Sequence, residues 1–229
     1  MITRIYNETL NPELWDINSN KLKPEIREKL LQIAQEFYAE TELKAPIEDI
    51  YILGSAANYN WNPGSDIDLH VVVQLKLINS DEVLAKQLAD QLKMNWNQNH
   101  NVIIKTHRVE LYIQDVNHQS RALAIYSVLN DRWVKVPQKL NLQLDKEAIQ
   151  RKYTDMVGQI NNAIKSQNLD NLKRVLKAVY DMRESGLSKG GEFSTENIVF
   201  KLLRSRYHID KLKKAVNSVY DNQRSIKES

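Results

Sequence analysis

No cysteine occurs in this chain. That excludes a disulfide framework and any thiolate metal site, and it fits a reducing compartment. No run reaches the roughly eighteen apolar residues that a membrane span requires. The opening "MITRIYNETLNPELWD" has no apolar core of signal-peptide length. A cytoplasmic protein with no membrane partner is therefore expected. The five histidines never form H-E-x-x-H, and neither G-x-x-x-x-G-K-[ST] nor G-x-S-x-G occurs. Zinc hydrolysis, a P-loop and a nucleophile elbow thus have no support. There is no clear internal repeat and no low-complexity tract.

What is present is an ordinary globular composition, 42% hydrophobic and 27% charged over 229 residues. That length suits one sizeable domain or two small ones. The net charge of +3 is unevenly spread: residues 1–140 hold 15 Lys and Arg against 18 Asp and Glu, and residues 141–229 hold 17 against 11. An acidic front joined to a basic back suits a polyanion held partly through metal on the acids; solvated helix surface is the plainer reading.

The periodicity divides the chain at the same place. "LKPEIREKLLQIAQEFYAE" predicts a helix starting near Pro24, with Leu30, Ile33, Ala34 and Phe37 on its apolar face. "DIYILGS" and "DIDLHVVV" read as strands around the polar loop "AANYNWNPGS". "SDEVLAKQLADQLKMNW" predicts a helix capped by Ser80, with Val83, Leu84, Leu88 and Leu92 along one face. "NVIIKTHRVELYIQD" is strand material with a bend near Thr106, and "LAIYSVLNDRWVKVP" reads as a hairpin turning at Asn130-Asp131. Beyond Pro137 three long segments all have helical period. The expected fold is α+β: a small mixed β-sheet with flanking helices in residues 1–140, then a helical domain in 141–229.

One strand is anomalous. In "SDIDLHVVV" the alternation points Ile67, Leu69 and Val71 one way, and Asp66, Asp68 and His70 the other. Two carboxylates so close repel each other unless one is protonated or a cation lies between them. Oxygen ligands of this kind suit Mg²⁺ shared with substrate phosphates, as in two-metal phosphoryl and nucleotidyl transfer. "HRVELYIQ" offers a third acid: Glu110 faces away from Val109, Leu111 and Ile113, with Arg108 and Tyr112. Upstream, Gly54 lets backbone approach a ligand closely, and Ser55 offers an N–H and a hydroxyl to phosphate, aided by a helix N-terminus if one starts there.

Leu53-Gly54-Ser55, a loop of ten, then Asp66-Ile67-Asp68-Leu69 resembles the signature of the DNA polymerase β-like nucleotidyltransferase superfamily. The resemblance spans roughly residues 24–115. Glu110 stands where the family has its third acid, more often Asp. Members often append a helical domain that closes the nucleotide cleft, which residues 141–229 look like. "LNPELWD" and the "YSVLNDRWVKVP" hairpin are similar to nucleotidyltransferase-like proteins encoded by phages. The resemblance implies an enzyme using Mg²⁺ or Mn²⁺ on Asp66, Asp68 and Glu110. It implies a nucleoside triphosphate, ATP by default, held at Gly54, Ser55 and Ser65. NMP would pass to an acceptor hydroxyl on RNA, protein or a small molecule. The alternative is a catalytically silent nucleotide-binding or interaction module on the same fold.

Other features are weighed beside it. "GGEF", residues 190–193, matches the diguanylate cyclase letters but lies between helical segments, where Gly190 and Gly191 end one helix and Ser194 caps the next. In the last helix Asn197, Lys201, Arg204, His208 and Lys211 form one stripe. Lys201 and Arg204 are the candidates to bind the triphosphate; a solvated face is the even alternative. His70 suits packing or support of the acids better than substrate contact. Tyr59 and Trp61 either stack on a base or tuck onto their own domain.

Overall fold

The structure, a computed structural model, describes residues 7–139 and 144–226. The chain divides into two compact units, Met1–Leu140 and Asn141–Ser229.

The first unit begins with a short pair, β1 (Trp15–Asp16) and β2 (Lys21–Leu22), followed by α1 (Pro24–Glu40). Then come β3 (Ile47–Leu53), β4 (Ile67–Val73), α2 (Glu82–Asn99), β5 (Ile103–Ile104), β6 (His107–Asp115), β7 (Ile125–Ser127) and β8 (Arg132–Lys135). The last six strands form one sheet in the order β5-β6-β4-β3-β7-β8. It is mixed: β4 and β6 run parallel, with α2 in the connection between them, and the other neighbours are antiparallel. One face is apolar. Ile50, Ile52, Ile67, Leu69, Val71, Val109 and Leu111 are all buried there, in a core they share with Leu30, Ile33, Ala34 and Phe37 of α1. Proline at the first position of α1 supplies its preset φ where no donor is missed.

Two expectations are corrected in α2. Asp81, not Ser80, caps it by accepting the Val83 and Leu84 N–H groups. Its buried face is Ala85, Ala89 and Trp96, whereas Val83, Leu84 and Leu88 are exposed. Small residues let the helix lie close to the sheet, so the larger leucines fall on the outer side. The helix is tied to β6 by Asn97, whose amide pairs with both the N–H and the C=O of Leu111 at 3.0 and 2.9 Å.

The N-terminal segment belongs to the same core. Trp15 is 1% exposed, stacks on Trp133 at 4.9 Å, meets Tyr126 edge-on and donates its indole N–H to the Ala56 carbonyl. Trp15→Ala should cost about 4 kcal/mol in urea unfolding, through lost packing and an orphaned carbonyl. Ile17→Ala, at an exposed position, should cost little. Equal effects would contradict this placement.

The second unit holds α3 (Lys146–Ser166), α4 (Leu169–Gly190), α5 (Thr195–Ser205) and α6 (His208–Arg224). Asp145, Asn168 and Ser194 cap α3, α4 and α5 through their side-chain oxygens. The "GGEF" letters fall where expected for a helix connection: α4 ends at Gly190, and Ser194 accepts the Asn197 N–H. The predicted single last helix is broken. Tyr207 adopts φ +61°, a left-handed conformation that ends α5 and starts α6. Asn197, Lys201 and Arg204 therefore lie on one helix, and His208 and Lys211 on another. Among the described residues no helix is long and apolar enough to cross a membrane.

Candidate active site

Directly paired residues of neighbouring strands share a face. The sheet's second face consequently carries Leu53, Asp68 and Glu110 in one row across β3, β4 and β6, with Tyr51, His70 and Tyr112 in the next. Asp66 precedes Asp68 by two residues at the mouth of β4. The register thus brings Asp68 and Glu110 side by side on adjacent strands, about 4.8 Å apart in the pairing direction. All three acids are half-buried, while Ile67 and Leu69 behind them are 0% exposed.

Gly54 completes the geometry. It ends β3 with φ +71° and ψ −153°, a region essentially only glycine occupies. A Cβ built there would meet Asp68 Oδ2 at 2.2 Å. The carboxylate of Asp68 therefore sits against bare backbone. The turn after Gly54 is a single 3-10 turn, Ser55–Ala57, too short to add a helix N-terminus for anions.

The loop between Gly54 and Asp66 is packed inward. Ser55 donates its hydroxyl to Ser65 Oγ at 3.0 Å, and the Asn62 N–H reaches the same oxygen at 2.9 Å. Ser65 is 5% exposed and braces the loop through these two bonds. Trp61 donates its indole N–H to the Thr9 carbonyl, and the Tyr59 carbonyl accepts the Asn7 N–H. Both aromatic residues are held to their own unit.

Glu110 accepts the Tyr112 hydroxyl at 2.9 Å. Tyr112 stacks on His70 with centroids 4.5 Å apart, and Lys93 Nζ lies 4.4 Å from its ring centroid. Among the described residues no three His, Cys, Asp or Glu side chains are set together to hold a metal. The residues nevertheless fit one. Asp66, Asp68 and Glu110 offer hard carboxylate oxygens, the donor type that suits Mg²⁺, and the missing side chain of Gly54 is what admits the Asp68 carboxylate. Lys201 and Arg204 belong to the second unit. Lys201 pairs with Glu192 at 3.4 Å, and Arg204 is exposed on α5. His208 meets the Tyr153 hydroxyl at 3.0 Å, and Asn197 is 1% exposed.

Two groups here are not assignable to a site from the sequence alone. Tyr112 shares Glu110's face by alternation, and the i, i+2 spacing is the local signal for their bond. His107, 1% exposed, touches Ser65 and Asn11, which are distant in sequence.

Burial pushes the His70 pKa down to about 4, with Lys93 and His118 adding to this and a hydrogen bond with Gln114 opposing it. The fold thus favours neutral His70. Its stabilisation is complete above the ordinary histidine value near 6.5 and drains away as pH falls to about 4. In metal-free buffer, wild type should lose about 2 kcal/mol over that window beyond what His70→Gln loses, by urea unfolding. Parallel pH curves would contradict this.

No protein-family model, curated protein or solved structure matches this chain.

Proposed function

We propose that this chain is a Mg²⁺-dependent nucleotidyltransferase of the DNA polymerase β-like fold, moving NMP from a nucleoside triphosphate to an acceptor hydroxyl. The observation that supports it most is the β4–β6 register, which sets Glu110 beside Asp68. A nuclease built on acidic strands would have no need of Gly54, whose missing side chain leaves the seat of the Asp68 carboxylate open.

Asp66 and Asp68 would hold Mg²⁺ together with the triphosphate, and Glu110 would hold it on the acceptor side. Bound Mg²⁺ would neutralise phosphate charge and acidify the acceptor hydroxyl. The acceptor oxygen forms a bond to the α-phosphorus, and the bond from that phosphorus to the bridging oxygen breaks. The electron pair leaves with pyrophosphate, and the acceptor proton passes to Glu110. Tyr112, on Glu110, keeps that carboxylate turned along the sheet face. Ser55 stands at the start of the phosphate loop. Lys201 and Arg204 would offset leaving-group charge, a role carried by the resemblance alone.

The test is incubation with each α-³²P-labelled NTP, Mg²⁺ or Mn²⁺, and self, tRNA or cell extract as acceptor. Label transfer by wild type and not by Asp66→Ala/Asp68→Ala is the expected result. Metal-dependent NTP binding without transfer would leave the silent module. Neither binding nor transfer would overturn both.

A further inference from the structure

We infer that His107 is a positioning residue for Asp66, acting through the carbonyl of Ser65; this rests on the reading of Asp66 as a metal-binding acid. His107 begins β6, alternates onto the same face as the buried Val109 and Leu111, and is 1% exposed. Its Nδ1 lies 2.6 Å from the Ser65 carbonyl oxygen. A carbonyl only accepts, so Nδ1 carries a proton and donates it. On the other side of the ring, Nε2 lies 2.7 Å from Asn11 Nδ2 and 3.5 Å from Glu13 Oε2. Asn11 is itself 1% exposed, and its Oδ1 accepts the Glu13 N–H at 3.0 Å. That orients its amide so that Nδ2 faces the imidazole. With Nε2 accepting from Asn11 Nδ2, Nδ1 carries the ring proton toward Ser65.

The consequence falls on one residue. Ser65 donates its N–H to the Asn62 carbonyl at 2.9 Å, and its hydroxyl oxygen accepts from Ser55 and Asn62. The His107 bond fixes the remaining backbone group, the carbonyl of the peptide that joins Ser65 to Asp66. Both ends of the phosphate loop and the first acid are thereby tied to β6, the strand that carries Glu110. The N-terminal segment closes the arrangement from outside: Asn7 donates its side-chain amide to the Tyr59 and Trp61 carbonyls at 3.1 and 2.7 Å. A residue buried this deeply, with two polar partners from distant segments, acts by holding backbone still.

The experiment uses the full chain and the variants His107→Phe, His107→Asn and Asn11→Ala. Hydrogen exchange read by mass spectrometry over residues 55–68 reports the loop. Mn²⁺ affinity read by electron paramagnetic resonance reports the acids. His107→Phe should speed loop exchange about tenfold and weaken Mn²⁺ about tenfold. His107→Asn, whose amide N–H takes the place of Nδ1–H, should recover most of both. A folded His107→Phe with wild-type loop exchange overturns the inference, as does an Asn variant no better than Phe. If His107→Phe does not fold, Asn11→Ala carries the same comparison: faster loop exchange supports the inference, and unchanged exchange overturns it. Loop exchange judges the brace even where wild type binds no Mn²⁺, a result that sinks the metal-site reading instead.

Discussion

Asp68→Asn is expected to reduce nucleotidyl transfer about a thousandfold, some 4 kcal/mol of transition-state stabilisation, while leaving the chain folded. The substitution keeps the shape that lies against Gly54 and removes the charge. Asp68 is paired directly with Glu110 across β4 and β6, so losing its charge weakens any cation the two share. Unfolding free energy should hold or rise by a few tenths of a kcal/mol, because like-charge repulsion is relieved. Rapid-quench single turnover and Mn²⁺ titration measure the two halves of the claim. Transfer within tenfold of wild type would falsify the assignment of Asp68.

Gly54→Ala should damage both stability and activity, for separable reasons. The φ of +71° with ψ −153° strains any residue with a side chain by about 1–3 kcal/mol. The new methyl also enters the space of the Asp68 carboxylate, which a Cβ would approach to 2.2 Å. Strain alone persists when Asp68 is changed, and the clash does not. Gly54→Ala should therefore cost more stability in wild type than in an Asp68→Ala background, with a coupling of about 1 kcal/mol. Transfer should fall about a hundredfold, since the carboxylate must turn away from its seat. Additive effects in the cycle would mean that the two residues do not meet.

Much of this site is legible in the sequence because alternation is local. "SDIDLHVVV" and "HRVELYIQD" each declare an apolar and a polar face, and both faces are realised. What alternation cannot declare is which strands become neighbours. That Asp68 faces Glu110 depends on a parallel pairing across α2, a long-range choice with no local mark. The face of α2 is not legible in the sequence because size and burial part company there: Ala85 and Ala89 go inside, and Leu84 and Leu88 stay out. Tyrosine is no helix breaker, so nothing local marks the break at Tyr207, where the backbone turns left-handed. Nothing local marks His107 as more than strand material, because its partners, Asn11 and Ser65, lie 96 and 42 residues away.

The parallel pairing of β4 with β6 also sets an order of events. Hairpins such as β7–β8 close over a few residues, but Asp68 and Glu110 meet only after the whole connection through α2 has closed. Closing that loop spends chain entropy before the strand contacts repay it, and the two carboxylates repel as they approach. Charge neutralisation at this pair should therefore speed refolding more than it slows unfolding, if β6 docks in the rate-limiting step. The acids then act as a toll on the folding path, and stopped-flow refolding of Asp68→Asn reads its size.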